Sequence, residues 1–239
     1  MTPFNFPDFA GYLVNGFLLG GVVVTIWLTA IPIVAGLMLG MVLALLQTSG
    51  RMFLVQAARF YIWIFRGTPL LIQLIIIYTG LPQFGIRLDV VTSALLALAL
   101  NEAAYLAEII RSGFLGVPAG QREGALALGL PRWVVLWKVL LPQAFRLMIP
   151  PLGNSVNSLL KATSITSVIS MEELMRRSQM LMQEKFDVLE VFAAAAIYYL
   201  LLTTAWGYCQ KWLEARFNVS YAMPRKTVAF PMRRELAGS

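Results

Sequence analysis

The chain has 239 residues, of which 59% are hydrophobic and 13% are charged, and its mean hydropathy is +0.72. In soluble proteins roughly a quarter of all residues are charged. This composition therefore excludes an ordinary soluble domain and indicates a protein that crosses a membrane several times. The absence of histidine excludes imidazole catalysis and histidine metal ligation, and a single cysteine, Cys209, can form no disulfide within this sequence.

Five segments are apolar and long enough to cross a membrane, because a helix needs about 20 mostly apolar residues to span roughly 30 Å of hydrocarbon. The first runs from about Gly20 to Leu46, after an interfacial segment from Tyr12 to Leu19. Splitting it at Pro32 into two short spans is the weaker alternative, since polar turn residues are missing there. The other four run from about Phe60 to Leu81, Val90 to Ile110, Phe145 to Met171 and Val191 to Tyr208. The sequence predicts an all-α fold of five transmembrane helices.

The basic residues account for a formal net charge of +7 and lie mainly in short loops and a C-terminal stretch beside apolar spans. Such a pattern indicates membrane orientation rather than nucleic-acid binding, because lysine and arginine accumulate on the cytoplasmic side. An N-terminus outside leaves Arg87, Arg176, Arg177 and Lys185 outside and puts the other loop and tail cations in the cytoplasm.

The expected organisation is a periplasmic or interfacial segment over 1–19, a transmembrane domain over 20–210 and a basic cytoplasmic tail over 211–239. The first ten residues contain Asp8 and lack a basic region before an apolar core. Such a start differs from that of a cleavable signal peptide, so we expect the first span to be retained.

A polar interval from Arg111 to Arg146 predicts two short cytoplasmic helices. The first covers Gln121 to Leu128, Gly129 ends it, and Pro131 begins the second. Glycine suits the left-handed position just past a helix end, and proline suits a first helical turn. We expect Glu123 in the first turn, where the helix dipole favours a carboxylate by about 0.3 to 1 kcal/mol. So short a helix gains little from propensity alone, which indicates that a partner surface stabilises it.

At this interval the chain resembles the membrane subunits of bacterial ATP-binding-cassette (ABC) importers for polar amino acids. The family's motif is Glu-Ala-Ala, three residues, Gly, nine residues and Ile-x-Leu-Pro. Its counterparts here, with every spacing kept, are Glu123, Ala125, Gly129, Val139, Leu141 and Pro142. Gly124 replaces the first alanine of the motif, which should loosen the helix by somewhat under about 1 kcal/mol. Val139 replaces isoleucine.

The resemblance implies a permease subunit of the type I ABC importer fold, whose coupling helix, at about 118–131, sits in a groove of an ATPase subunit. The residues to which it carries this role are Gly120, Glu123, Gly124, Ala125, Gly129, Leu130 and Pro131. The similarity extends over about Gly16 to Tyr208. Its other matching segments are Arg66 to Gln73, Ala104-Tyr105 with Glu108 to Arg111, Leu141 to Arg146, Pro150 to Asn154 and Lys161 to Ser164. In the last of these, Ala162 stands where the family usually has aspartate.

Polar residues inside the spans mark a candidate substrate path, because a charge at mid-bilayer costs about 2.5 to 3.5 kcal/mol on insertion scales. On the third span Asn101, Glu102, Tyr105 and Glu108 share one broad helical face. Glu102 either meets the ammonium group of an amino acid or forms a structural ion pair with Arg66 or Lys161. For Glu108, pairing with Arg111 is favoured.

The fourth span carries a second polar stripe, formed by Asn154, Asn157, Ser158 and Lys161, which should face a partner subunit or a translocation path. Lys161 either attracts a substrate carboxylate or extends toward the outer headgroups. Arg66, with Gly67 and Pro69, breaks the second span near the cytoplasmic face and acts either as an interfacial arginine or as a gate or substrate contact.

The outer loop from Glu172 to Glu190 mixes both signs of charge. It is either a solvated amphipathic loop or, as the resemblance implies, a landing surface for a periplasmic amino acid binding protein.

The sequence contains no Gly-x-x-x-x-Gly-Lys-Ser/Thr phosphate loop, so we do not expect this chain to be the ATPase that supplies energy for transport. We therefore expect a transport subunit without cofactor or enzymatic activity. The resemblance implies that it is paired with a second permease subunit, a dimer of separate ATPase subunits and a binding protein. A secondary amino acid transporter driven by an ion gradient is the alternative, and an intramembrane enzyme using Glu102 or Glu108 as acid or base is the weakest one. The residues do not identify the amino acid, nor whether the permease pair is a homodimer or a heterodimer.

Overall fold

The computed structural model describes residues 4–217, and this part of the chain is helical, without a β-strand. Four of its helices are long and apolar enough to cross a membrane, and a bent pair of helices supplies a fifth span. The five spans predicted from the sequence are therefore present. The predicted tail cations Arg225, Lys226, Arg233 and Arg234 lie outside the described residues.

The N-terminal part consists of α1 (Phe6–Tyr12) and α2 (Gly16–Gln47). The side chain of Asn15 caps α2 by accepting hydrogen bonds from two backbone N–H groups, at 2.8 and 3.3 Å. Because of this cap the helix that contains the first span begins at Gly16, before the Gly20 expected for the span. The helix continues through Pro32, so the alternative of two short spans is wrong.

The second span is broken. The helical stretch that begins with α4 (Leu70–Ile75) meets α3 (Met52–Gly67) at 105°. The break lies at the Arg66-Gly67-Thr68-Pro69 sequence, as predicted, and the helical segment of this span begins at Met52, before the expected Phe60. Proline has no backbone N–H, and it disfavours the helical conformation of the residue before it. Thr68 accordingly is extended, with ψ of 146°.

The central helix is α5 (Val90–Leu115), which packs along α2. A Cβ atom at Gly40 would lie only 3.0 Å from the carbonyl oxygen of Ala103 and from the amide nitrogen of Ala107. Glycine is required for this approach, since a side chain there would push the two backbones apart. A buried core joins α2, α4 and α5 through Leu28, Leu74 and Leu98.

The C-terminal half begins with α6 (Ala119–Ala127) and α7 (Arg132–Val134). A π-helical turn (Val135–Leu140) leads into α8 (Leu141–Ala162), and a 3-10 turn (Thr163–Ile169) extends that fourth span to the other face. Finally α9 (Leu174–Lys185) packs against α2 and precedes the last span, α10 (Val188–Arg216).

Candidate functional site

The short helix α6 ends in a Schellman turn at the glycine of the motif. The N–H of Leu130 donates to the carbonyl of Ala125 at 3.3 Å, and the N–H of Gly129 donates to the carbonyl of Leu126 at 2.9 Å. Gly129 has φ of +78°, which confirms the left-handed conformation expected there. Pro131 directly precedes α7. The exit of the chain from α6 is therefore fixed by backbone geometry.

The start of α6 differs from the prediction. The helix begins at Ala119, directly after Pro118, and not at Gln121. Glu123 consequently lies beyond the first turn, so the expected stabilisation by the helix dipole does not apply to it. Its side chain is exposed.

One side of α6 is open, while the other packs on the π-helical turn over 135–140. Ala125 is buried, whereas Gly120, Gly124 and Leu128 are exposed, and Leu128 exposes 82% of its surface. A cavity of about 580 Å³ adjoins the helix, lined by Arg122, Glu123 and apolar residues among others. The exposed face combines apolar and charged groups, a composition suited to a protein partner.

Glu102 is buried on α5, where its Oε1 accepts a hydrogen bond from the hydroxyl of Ser155 on α8. No lysine or arginine lies within ion-pair distance of it among residues 4–217. The expected ion pair with Arg66 or Lys161 is therefore wrong in this conformation. The structure instead holds a carboxylate between two spans with a hydroxyl as its side-chain partner.

Arg66 pairs with a different carboxylate from the one proposed. Its Nη1 lies 3.7 Å from Oε2 of Glu108, and its guanidinium lies 5.4 Å from the ring centre of Tyr105. Arg111 donates to both oxygens of Glu108, at 3.1 and 2.8 Å, so the expected pairing of these two residues is confirmed. One carboxylate thus joins α3 and the end of α5.

Asn101 belongs to an amide network at the break between α3 and α4. Its Nδ2 donates to the side-chain oxygen of Gln73 at 3.0 Å and to the carbonyl of Phe65 at 3.1 Å. Gln73 in turn donates to the carbonyls of Phe65 and Thr68, at 2.9 and 3.1 Å. Backbone oxygens freed by the break are therefore satisfied by side chains, as the low-polarity surroundings require.

The stripe on α8 is only partly buried. Asn154 and Lys161 are exposed, whereas the Oδ1 of Asn157 is buried and has no hydrogen-bond partner in the described part of the chain. The side chains of Asn154 and Lys161 face away from the packed interior. They are available to a partner or to a path between subunits.

Sequence reasoning missed Gln73 and Ser155, although both contact predicted residues. Gln73 could have been found, because it is the one polar residue in the apolar run from Leu70 to Ile77. Ser155 lies beside the polar stripe but off its three and four residue spacing, and nothing in the sequence distinguishes it.

The loop from Glu172 to Glu190, predicted to lie outside, contains helix α9, and two of its carboxylates are buried. Glu173 is fully buried as the N-cap of α9, accepting hydrogen bonds from two backbone N–H groups and from the hydroxyl of Tyr199. Burial raises the pKa of this carboxyl, against the lowering effect of those hydrogen bonds. Glu190 is also buried, and it accepts the backbone N–H of Asn5 at 2.8 Å. The interpretation of these two as solvated charges is therefore wrong.

Known proteins resemble the chain over most of its length. Residues 36–219 match the model of the binding-protein-dependent transport system inner membrane component family. The glutamine transport system permease protein GlnP of Escherichia coli (strain K12) is 36% identical over 204 residues, covering 84% of this chain and 93% of that relative. The arginine transport system permease protein ArtQ of Bacillus subtilis (strain 168) is 40% identical over 188 residues, covering 78% and 86%.

A solved structure described as an amino acid ABC transporter with histidines superposes with a TM-score of 0.85 at 34% identity. It covers 90% of this chain, and all of its own chain is matched.

Proposed function

The chain belongs to the family of inner membrane components of binding-protein-dependent transport systems, and from this premise we propose that it moves an amino acid across the cytoplasmic membrane, with energy supplied by separate ATPase subunits. Membership makes it a multi-pass permease subunit of the amino acid ABC transporter type. Coupling, orientation, subunit arrangement and substrate contacts are the proposed parts.

Helix α6 is the observation that carries the coupling proposal. Its motif residues lie on an exposed helix whose end is set by Gly129, and its apolar Leu128 has no covering side chain in the described chain. In the proposed mechanism α6 sits in a groove of the ATPase. ATP binding draws the two ATPase subunits together, and α6 transmits that movement to the spans. Two permease subunits then open the path outward.

Reconstitution separates this mechanism from an ion-gradient transporter. The permease is placed in liposomes with its ATPase subunits and binding protein, and uptake of radiolabelled amino acids is measured with ATP inside. The matched sample contains the permease alone, under a proton or sodium gradient. We expect uptake only in the first sample; robust uptake by the permease alone would refute ATP coupling and favour the secondary transporter.

The proposed orientation has the N-terminus outside and α6 in the cytoplasm, as the distribution of lysine and arginine favours. A Gly120→Cys variant in a Cys209→Ser background tests it, since Gly120 is exposed and a Cβ there would contact no other atom. A membrane-impermeant maleimide should label this cysteine in inside-out vesicles and not in right-side-out vesicles. The reverse labelling would contradict the topology.

The proposed substrate path lies beside α5 and α8. Glu102 supplies a carboxylate without a cationic partner in the described residues, which suits the ammonium group that all amino acids share. Exposed Asn154 and Lys161 supply polar and cationic groups for the carboxylate end. The relatives' names refer to different amino acids, glutamine and arginine, so we propose an amino acid substrate without choosing one.

A further inference from the structure

Three arginines and one glutamate meet where α2, α3 and α5 approach the proposed cytoplasmic face. Two adjoining cavities, of about 470 and 450 Å³, share Gln47, Arg59 and Glu108 in their walls. Arg66 lines the first cavity and Arg111 the second. The residues come from three helices, of which α5 is well separated in sequence from α2 and α3, so the fold itself assembles this basic site.

The charges of the site do not balance. Glu108 accepts two hydrogen bonds from Arg111, one from Gln47 at 3.2 Å, and lies 3.7 Å from Arg66. Arg59 has no carboxylate within ion-pair distance among residues 4–217. One negative charge therefore faces three positive charges, and the site retains an excess of about two positive charges.

The helix that supplies Arg59 and Arg66 has the character of a helix at a membrane surface. On α3 the rings of Phe60 and Trp63 stack at 6.0 Å and expose 61% and 70% of their surfaces. Trp63 also lines the larger cavity. Aromatic rings next to arginines are typical of the headgroup level of a bilayer, where the phosphates of acidic lipids lie.

We propose that this site binds a phosphate group, supplied by the headgroup of an acidic phospholipid. Guanidinium groups recognise phosphate through paired N–H donors, and basic pockets between helices on the cytoplasmic side suit lipid headgroups. Arg59 provides the free donor, Arg66 and Arg111 provide further charge, and Trp63 contacts the region below the headgroup. Inorganic phosphate has the same chemistry and is the competing source. The assignment to the cytoplasmic leaflet rests on the orientation proposed above.

Lipid retention tests the site without ATP or a transported substrate, so its outcome is independent of the proposed transport function. The assembled transporter is purified from nanodiscs containing phosphatidylcholine and phosphatidylglycerol, and native mass spectrometry counts the phosphatidylglycerol retained. Replacing Arg59 by glutamine should weaken retention about fivefold, as loss of one cation near a lipid surface predicts. Retention by the Arg59→Lys variant should lie between that of the original protein and that of Arg59→Gln, since lysine keeps the charge and loses the planar donor fork of arginine.

Arg51→Gln is the matched control, because Arg51 is an exposed cation at the start of the same helix and lines neither cavity. Equal retention by the Arg51 and Arg59 variants would overturn the proposal. In a second arm, the transporter in phosphatidylcholine alone is titrated with inorganic phosphate by calorimetry. Phosphate binding that depends on Arg59, without a matching effect on lipid retention, would overturn the lipid as the source.

Discussion

Replacing Gly129 by valine tests the left-handed backbone conformation that follows α6. Apart from the neighbouring residues of the chain, no atom lies within 4 Å of the position that a Cβ atom would occupy at this residue, so the added Cβ meets no other part of the fold. The cost arises only from φ of +78°, a conformation in which a Cβ atom approaches the following carbonyl oxygen.

The expected penalty for valine is about 1 to 3 kcal/mol, since left-handed geometry costs about 1 to 2 kcal/mol for an L-residue and more when the side chain is branched. The two turn bonds at 3.3 and 2.9 Å depend on this conformation. A penalty of about 1 to 3 kcal/mol shifts an equilibrium by a factor of about 5 to 150. The turn after α6 should therefore be misformed in a substantial fraction of molecules.

The assay is the number of amino acids transported per ATP hydrolysed by the reconstituted transporter. Gly129→Val should lower this ratio about fivefold or more with a normal amount of assembled complex. Gly129→Asn should retain most coupling, because asparagine tolerates left-handed geometry. Gly124→Ala is the matched control within α6, where a Cβ meets no atom and alanine should stabilise the helix by about 0.5 to 1 kcal/mol.

Normal coupling in Gly129→Val would refute the role assigned to this turn. Equal loss in the valine and asparagine variants would show that the side chain at this position matters, and not the backbone angle.

Three further perturbations follow from contacts inside the fold. Gly40→Ala should destabilise the detergent-solubilised permease by about 1 to 3 kcal/mol in thermal unfolding, because its Cβ would lie 3.0 Å from the α5 backbone. Glu102→Gln should assemble normally, since its amide oxygen can still accept from Ser155, and should raise the KM for uptake if the carboxylate meets the substrate ammonium. Burial raises the folded-state pKa of Glu173, so the folded protein binds that proton more tightly than the unfolded chain, and this group's contribution to stability falls as pH rises above its ordinary value of 4.5. Glu173→Gln should flatten that part of the stability profile.

Each of these three substitutions has a control variant or an outcome that would contradict the expectation. Gly207→Ala serves for Gly40, since a Cβ at Gly207 meets no atom within 4 Å, and equal destabilisation of both would contradict the packing argument. For Glu102→Gln the comparison variant is Ser155→Ala, which keeps the charge of Glu102 and removes its hydroxyl partner. Unchanged uptake kinetics with less assembled Glu102→Gln complex would assign that residue a structural role. An unaltered pH profile in Glu173→Gln would remove this carboxyl as its source.

The spans could be predicted from the sequence because apolar length is a strong constraint in a bilayer. The turn at Gly129 was likewise predictable, since its glycine and the following Pro131 punctuate a short helix. Both features depend on residues adjacent in the chain.

Contacts between residues that are distant in the chain were harder to predict from the sequence. The sequence suggested Glu102 as the partner of Arg66, whereas the 105° break carries Arg66 toward the end of α5, where it pairs with Glu108. The burial of Glu173 could not be foreseen either, because charges beside it in sequence suggested water. Its carboxylate is instead used by the first turn of α9 and by Tyr199.

Because α3 and α4 meet at a break, a small change of angle there would move the far end of α3 by a larger distance. This helix has 16 residues and is therefore about 24 Å long. A rotation of about 10° at the joint would displace its far end by about 4 Å, roughly three quarters of the pitch of an α-helix. The side-chain amides of Gln73 and Asn101 hold the joint between the two helices. Substitutions at these two residues could therefore change the angle between α3 and α4 without changing either helix.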